Sequence, residues 1–363
     1  MTQPDADLDT TALDSFLSAE LDETIAGTEV LGDGVNLLLS ISTENGGGRY
    51  VLRRPNKLRH TELFNELDRE YGLLERLRST PIPTPEPVLF CEDESIIGDA
   101  FFLTTHLDGD PFPWSEDLPE RYRNPDARER IGVRLIETLA EIHSLPVDPF
   151  EDVCDHDTPL DMVEQASARL DVATSVTGQA VPGLRAVEEW LLDNAPLDSE
   201  TRLVHGDYRP GNVLFDGQDW PEVTGVLDWE AALLGDPFTE LGYFLLDWRD
   251  PEDPVLSLDD LDARYSDEKM QGVRAMNENG HSPFTAKPGS PTRRELVDRY
   301  EELTGIPFEH DRFYRAHAAF MLATVWADLH RHQVEAGSAT GWDPSIDYMG
   351  LVAQAIIDGK YPL

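Results

Sequence analysis

One run of eight residues carries the densest chemistry in this sequence: His205-Gly206-Asp207-Tyr208-Arg209-Pro210-Gly211-Asn212. Asp228 follows 16 residues after Asn212, within Val226-Leu227-Asp228-Trp229-Glu230. Moving a phosphoryl group needs few protein groups, each closely placed. A carboxylate orients or deprotonates the acceptor hydroxyl, oxygen ligands hold Mg²⁺ on the nucleotide phosphates, and a cation stands beside the transferred group. Asp207 suits the first task. Asn212 and Asp228 suit the second, since a hard cation prefers oxygen ligands. Arg209 suits the third. His205 reads as a hydrogen-bonding support of the loop, and Asp236 in Gly235-Asp236-Pro237 as a structural brace.

These residues need elements to hold them. Residues 1–22 are polar and acidic and read as a frayed segment or short helix. Strands with turns are expected over 28–52, interrupted at Gly32-Asp33-Gly34 and turning again at Asn45–Gly48. A helix is expected over 61–78, capped by Thr61, because Leu63, Leu67, Tyr71, Leu74 and Leu77 recur at helical spacing. Four prolines stop a helix before two further strands that end near Leu107. Helices follow over 126–145, 181–194, 292–304 and 310–335. Short strands around Val213-Leu214-Phe215 and Val223–Asp228 deliver Asn212 and Asp228, and 251–291 reads as a long polar insert with partial helix. A strand-rich part, 1–107, thus precedes a larger helical part, 108–363, giving an α+β chain with a cleft between two unequal lobes.

Composition narrows the function further. The 363 residues carry 71 acidic and 29 basic side chains, a net charge of −42. Such a surface repels nucleic-acid backbones and anionic membranes. No 18-residue apolar stretch offers a membrane span, and no secretory signal is legible at the acidic N-terminus. Cys91 and Cys154 have no CxxC partner, which argues against a zinc site or a disulfide scaffold, and the expected compartment is the cytosol. Lysine occurs only four times, and acidity is spread along the whole chain. That pattern reads as a salt-adapted, halophilic surface and cannot argue for a cationic ligand.

The loop HGDYRPGN resembles the catalytic loop of the aminoglycoside phosphotransferase superfamily, relatives of the protein kinases, with Asp207, Arg209 and Asn212 on the kinase Asp, Lys and Asn. Asp228 matches the metal-binding Asp of D-F-G. LVHGDYRPGN and GVLDWEAALLGDPFTELGYFL, with RYVLRRP and DREYGLLERL upstream, most resemble the branch related to the kinase domain of acyl-CoA dehydrogenase fusion proteins. That branch typically reads LVHGDxRxxN, VLDWE and LGDPxxDLxY, and the likeness spans about 28–337.

The resemblance implies a two-lobed, protein-kinase-like fold. ATP, or GTP as the alternative, would be held in the first lobe with Mg²⁺. Gly32, Gly34 and Asn36 occupy the family's phosphate turn, although glycine in a turn is weak evidence alone. Arg53 stands where kinases place the phosphate-pairing Lys, a departure that changes the binding geometry. A one-residue register error would substitute Arg54. Glu70 matches the helix acid that pairs this cation, while Glu66 reads as helix surface. Thr105 and Leu107 fall on the interlobe strand that meets adenine. Glu230 and Trp326 are candidates for the acceptor pocket, although Trp326, Phe320 and Phe313 also read as core. His143 reads as a structural helix-end residue, and metal binding by His330 and His332 is discounted because they face different sides. The expected acceptor is a small-molecule hydroxyl, such as that of a hydroxyacyl metabolite. An antibiotic or amino-alcohol acceptor is the alternative, and a silent nucleotide-binding module the alternative of another class.

Overall fold

The computed structural model describes residues 10–44, 48–56, 64–217, 220–337 and 341–363. In chain order the elements are α1 (Thr10–Leu21), β1 (Ile25–Asp33), β2 (Asn36–Thr43), β3 (Arg49–Pro55), α2 (Leu67–Leu77), β4 (Pro87–Cys91) and β5 (Phe101–Thr105). Then come α3 (Pro125–His143), β6 (His156–Asp157), α4 (Pro159–Thr177), α5 (Pro182–Asn194), β7 (Arg202–Val204), β8 (Val213–Asp216), β9 (Glu222–Val226) and β10 (Leu233–Gly235). The chain closes with α6 (Pro237–Leu246), α7 (Asp259–Asp262), α8 (Asp267–Asn279), α9 (Arg293–Thr304), α10 (Asp311–Glu335) and α11 (Asp343–Ile357). The fold is α+β and kinase-like: a small antiparallel sheet with one helix on its cleft side, then a larger helical region.

The five-stranded sheet runs β1-β2-β3-β5-β4, every pair antiparallel. Side chains alternate across a strand, and here the alternation decides function. Leu37, Leu39, Ile41, Leu52, Phe101 and Leu103 turn one way and pack with Leu13 and Leu17 of α1. Their neighbours Arg53 and Phe102, paired across β3 and β5, turn the other way. That second face meets α2, whose Leu73, Leu74 and Leu77 join Phe102 in the main core.

The larger region is organised on α10, which packs against α4, α6 and α11. It is buried on several sides, from Phe313 and Tyr314 to Phe320 and Trp326, as a helix must be when apolar residues circle it. Caps fix several helices at the expected places: Asn124 accepts from the Ala127 N–H, and Thr292 with Glu295 forms a capping box.

Four expectations differ. The helix expected from Thr61 begins at Leu67, and Phe64–Glu66 precede it outside helix. Its expected cap Thr61, and most of the turn at Asn45–Gly48, lie outside the described residues. The segment expected to hold only short strands contains α6, opened by Pro237 at the first helical position and by Asp236, whose side chain accepts from the Phe238 N–H. Helices α4 and α11 were not expected. The latter opens with Pro344 and repeats Ile346, Met349, Val352 and Ile356 at helical spacing, a signal that was legible.

Candidate active site

Two short constructions meet in the cleft, one for each side of the chemistry. The first is the loop after β7. Gly206 has φ +84°, and a Cβ there would lie 2.1 Å from the Ala231 carbonyl oxygen, so only glycine lets the loop pass. His205 is buried. Its Nε2–H donates to the Leu227 carbonyl at 2.7 Å, and its Nδ1 accepts from the Asp207 N–H at 3.2 Å. His205 therefore shapes the loop and ties it to the strand that delivers Asp228.

Asp207 receives three donors. The Tyr243 hydroxyl donates to Oδ1 at 2.7 Å, the Asn212 amide to Oδ2 at 2.8 Å, and Arg209 Nε lies 3.3 Å from Oδ1. About a third of the Asp207 side chain remains exposed. Burial nevertheless raises its pKa above the ordinary aspartate value, with Arg209, Tyr243 and Asn212 pulling the other way. The Asn212 Nδ2 also donates to the Asp207 carbonyl, so both of its amide bonds hold Asp207. Beneath the loop, Glu240 of α6 accepts the His205 and Gly206 N–H groups at 3.0 and 2.7 Å. Burial would raise the Glu240 pKa, but His143 and the His205 amide hold it below the ordinary glutamate value. His143 is itself fixed by the Tyr300 hydroxyl at 2.7 Å, the structural role expected of it. Asp236 accepts from the Tyr314 hydroxyl at 2.6 Å and braces the start of α6.

The second construction gathers on Arg53. Its guanidinium pairs with Glu70 of α2 at 3.0 Å, with Glu230 at 2.8 Å and, more closely, with Asp228. Burial alone would lower the Arg53 pKa, but the three carboxylates together raise it. Asp228 sits at φ 61°, in the left-handed region, which aims its carboxylate back at β3. Burial pushes the Asp228 pKa up, but Arg53 overcomes this and holds it below the ordinary value. Asn36 donates to Glu230 at 2.6 Å, so the β1–β2 turn is tied to the same cluster.

This resolves the register question. Arg54, on the α1 side of β3, donates instead to the Ile97 carbonyl at 2.6 Å and to Asn56 at 3.2 Å. Glu66 lies at the start of α2, one turn before the pairing Glu70. Gly32 and Gly34 flank Asp33, which accepts from Asn56 at 2.7 Å, and a Cβ at Gly34 would meet nothing within 4 Å. Thr105 ends β5, bonded to the Glu86 backbone, and Leu107 packs over β9, where a Cβ on Gly225 would lie 2.6 Å from it.

The acceptor candidates separate. Glu230 is turned to β2 and β3, held by Arg53 and Asn36. Trp326 lies behind Trp114, their centroids 6.2 Å apart. The ring that actually meets the catalytic loop is Trp114, with the Arg209 guanidinium 4.6 Å over its face. The Trp114 indole donates to Asp247 at 2.9 Å, and His281 stacks on it at 5.0 Å. Sequence reading missed Trp114, Glu240, Tyr243, Asp247 and His281. For Glu240 and Tyr243 a signal existed, since both stand in LGDPFTELGY beside the chosen motif.

The donor set fits Mg²⁺. Asp228 keeps 40% of its side chain exposed. Mg²⁺ keeps waters and substrate oxygens and needs only one or two carboxylates from the protein. Among the described residues no group of three or more His, Cys, Asp or Glu is placed to hold a metal ion.

Comparisons with known proteins point the same way. A family model described as "Phosphotransferase enzyme family" matches residues 30–276. Acyl-CoA dehydrogenase family member 11 of Pongo abelii is 28% identical over 293 residues, 78% of this chain and 33% of that protein. The human protein of the same name is 31% identical over 212 residues, 56% of this chain and 26% of its own. The chain thus spans about a third of the length of these relatives. A Ralstonia eutropha structure, provisionally assigned as an aminoglycoside phosphotransferase, superposes with a TM-score of 0.70 at 23% identity, covering 95% of this chain and 98% of that one. Plasmodium vivax ethanolamine kinase gives 0.57 at 11% identity, covering 93% and 82%. An aminoglycoside phosphotransferase solved with AMP-PNP and hygromycin B gives 0.54 at 16%, covering 97% and 100%.

Proposed function

The chain belongs to the phosphotransferase enzyme family, and from that premise we propose that it moves the γ-phosphoryl group of a Mg²⁺-bound nucleoside triphosphate to a hydroxyl of a small molecule. One observation carries the reading. Asp207, with Arg209 at its side, faces the cleft, while Asp228 is held opposite by the strand cation Arg53 and its helix partner Glu70.

In this reading residues 1–107 bind the nucleotide and 108–363 carry the catalytic loop and acceptor site. The turn of Gly32, Gly34 and Asn36 covers the phosphates. Gly34 is not demanded by local packing, and close approach of a ligand is a physical reason for it. Thr105 and Leu107 border the base, ATP in preference to GTP. Asp228 and the Asn212 Oδ1 would hold Mg²⁺, which when bound neutralises charge on the phosphates. Asp207 accepts the proton of the acceptor hydroxyl and orients it, its pKa raised toward working range by burial. Arg209 faces the charge that gathers on the transferred group and is kept in place by Trp114.

The acceptor is a hydroxylated metabolite. The antibiotic and amino-alcohol kinases among the structural neighbours supply the competing acceptors. The site is proposed to work in the cytosol. Both cysteines are unpaired and buried, and no helix among the described residues is long and apolar enough to cross a membrane. The test is a screen of hydroxylated metabolites, amino alcohols and aminoglycosides with Mg·ATP, reading phosphorylated product by mass. Product from one class that disappears in Asp207→Asn supports the reading. Absence of ATP binding by the folded protein sinks it.

A further inference from the structure

A cavity of about 50 Å³ lies where the ends of α6 and α8 meet α10, α11 and the last residues of the chain. Its walls combine two unlike surfaces. Leu245, Met276, Val352 and Ile356 supply hydrocarbon, while Arg249, Arg293 and Arg315 bring three guanidiniums against the one carboxylate of Asp253. All three arginines are at least nine-tenths buried, at 9%, 3% and 3% exposure. Two are answered by carboxylates. Arg293 forms a two-pronged pair with Asp253, and Arg315 pairs with Asp311 at 2.8 Å.

Arg249 is different. It has no ion pair among the described residues, only a long 3.4 Å hydrogen bond to the Pro254 carbonyl and the Tyr361 hydroxyl beside it. The Nε atoms of Arg293 and Arg315 are also buried without a hydrogen-bond partner. A buried cation lacking a counter-charge is costly. In a chain with 71 acidic residues, a carboxylate partner would be easy to supply.

We propose that this cavity is an oxyanion site for a carboxylate or phosphate on a short apolar stem, with Arg249 as its charged partner. The volume agrees. At roughly 10–15 Å³ per water, it holds the equivalent of three to five waters, the bulk of such a headgroup. The location gives the site consequence. His281 lines the cavity and stacks on Trp114, which carries Arg209. The anion can come from the acceptor's own charged end, a source that rests on the phosphotransferase reading, or from a free small anion, which does not.

The experiment begins without nucleotide, at one fixed potassium chloride concentration. Acetate, butyrate and inorganic phosphate are titrated calorimetrically into wild type, Arg249→Met, Arg249→Lys and Asp207→Asn, with thermal melts confirming the fold. Wild type and Asp207→Asn should bind one of the probes saturably. Arg249→Met should bind about 10- to 100-fold more weakly, the scale of a charged hydrogen bond. Arg249→Lys should fall between, since it keeps the charge and loses the fork. If Arg249→Met does not fold, Met276→Trp fills the cavity without removing a charge and should abolish anion binding while Mg·ATP still binds. No saturable binding by wild type, or equal binding by a folded Arg249→Met or Met276→Trp protein, overturns the site.

A second arm separates the sources by comparing hydroxyalkanoates with alkanoates of equal length in the presence of Mg·ATP. If the acceptor supplies the anion, hydroxyalkanoates become phosphorylated and Arg249→Met raises KM more than it lowers kcat. If a free anion does, both series bind alike and neither is consumed. Anion binding that fails while phosphotransfer persists removes only this site. Phosphotransfer that fails while anion binding persists removes only the proposed function.

Discussion

The two sides of the cleft hold their acids in opposite ways. On the catalytic-loop side each acid has a surplus of donors. Glu240 meets two backbone N–H groups and His143, and Asp207 meets Tyr243, Asn212 and Arg209. On the β3 side Arg53 pairs with three carboxylates, Glu70, Asp228 and Glu230. The first arrangement is complete without ligand and so preorganises the loop. The second rests on ion pairs to one buried guanidinium, with the Asp228 side chain still 40% exposed. Hydrogen bonds hold Asp207 and Glu240, and ion pairs hold Glu70, Asp228 and Glu230.

The sharpest way to break this comparison is to remove one acid from each side. Asp228→Ala should abolish transfer and weaken Mg·ATP binding. Asp207→Asn should leave Mg·ATP binding within about threefold and slow transfer by about 10²–10⁴, the usual contribution of a positioned base. Calorimetric titration of Mg·ATP paired with transfer rates reads both effects. If Asp207→Asn loses nucleotide while Asp228→Ala keeps it, the two roles have been exchanged.

Next in size is the loss of the shared cation. Arg53→Met removes the ion pair that Glu70, whose side chain is 3% exposed, makes with the guanidinium. Breaking a buried pair in this way costs about 3–5 kcal/mol. A chemical-denaturation midpoint should drop accordingly, and Mg²⁺ should restore part of the loss by occupying the vacated charge. A melt unchanged by Arg53→Met would show that the three carboxylates are not held together by it.

On the opposite side the expected loss is smaller. Glu240→Gln keeps the shape but turns an amide NH₂ toward one of the two backbone N–H groups that the carboxylate accepts. Leaving one buried donor unpaired costs about 1–3 kcal/mol. The denaturation midpoint should fall, and transfer should slow more than Mg·ATP binding weakens.

The same contrast explains what could be read from sequence. Asp207, Arg209 and Asn212 lie within six residues on one loop, and Asp228 arrives on the second arm of the β8–β9 hairpin, so local spacing encodes them. Arg53 needed one more fact, the face of β3, which Leu52 in the α1 core and Phe102 opposite settle. Glu230 read as an acceptor-pocket candidate, but its direction depends on the left-handed turn at Asp228 and on Asn36, 194 residues away. Trp114 stands directly after Pro111-Phe112-Pro113, where no helical or strand period runs. Only packing places it under Arg209, with Asp247 and His281 behind it. The insert over 251–291 was read as connection because its composition is polar, yet its end supplies His281 and Ser282 to Asp247. Contacts that close over long loops leave no periodic trace.

The smallest effect tests the donor surplus most directly. The Tyr243 hydroxyl bonds Asp207 Oδ1 and stabilises the charged carboxylate, opposing the burial that raises its pKa. Tyr243→Phe removes that opposition, so the Asp207 pKa must rise further. Asp207 then stays protonated to higher pH, and the acidic limb of the transfer rate moves upward in pH. On the alkaline plateau, where Asp207 is ionised in both proteins, the rate should fall only by about tenfold, the worth of one hydrogen bond to a charged group. Stability carries the same sign. A carboxyl whose folded pKa lies above its unfolded value loses stability as pH rises through that interval. The melting difference between wild type and Tyr243→Phe should therefore be larger at neutral pH than below the ordinary aspartate range. Rate–pH profiles and melts of both proteins measure this, and a limb that does not move would mean that Asp207 is not the group whose ionisation controls transfer.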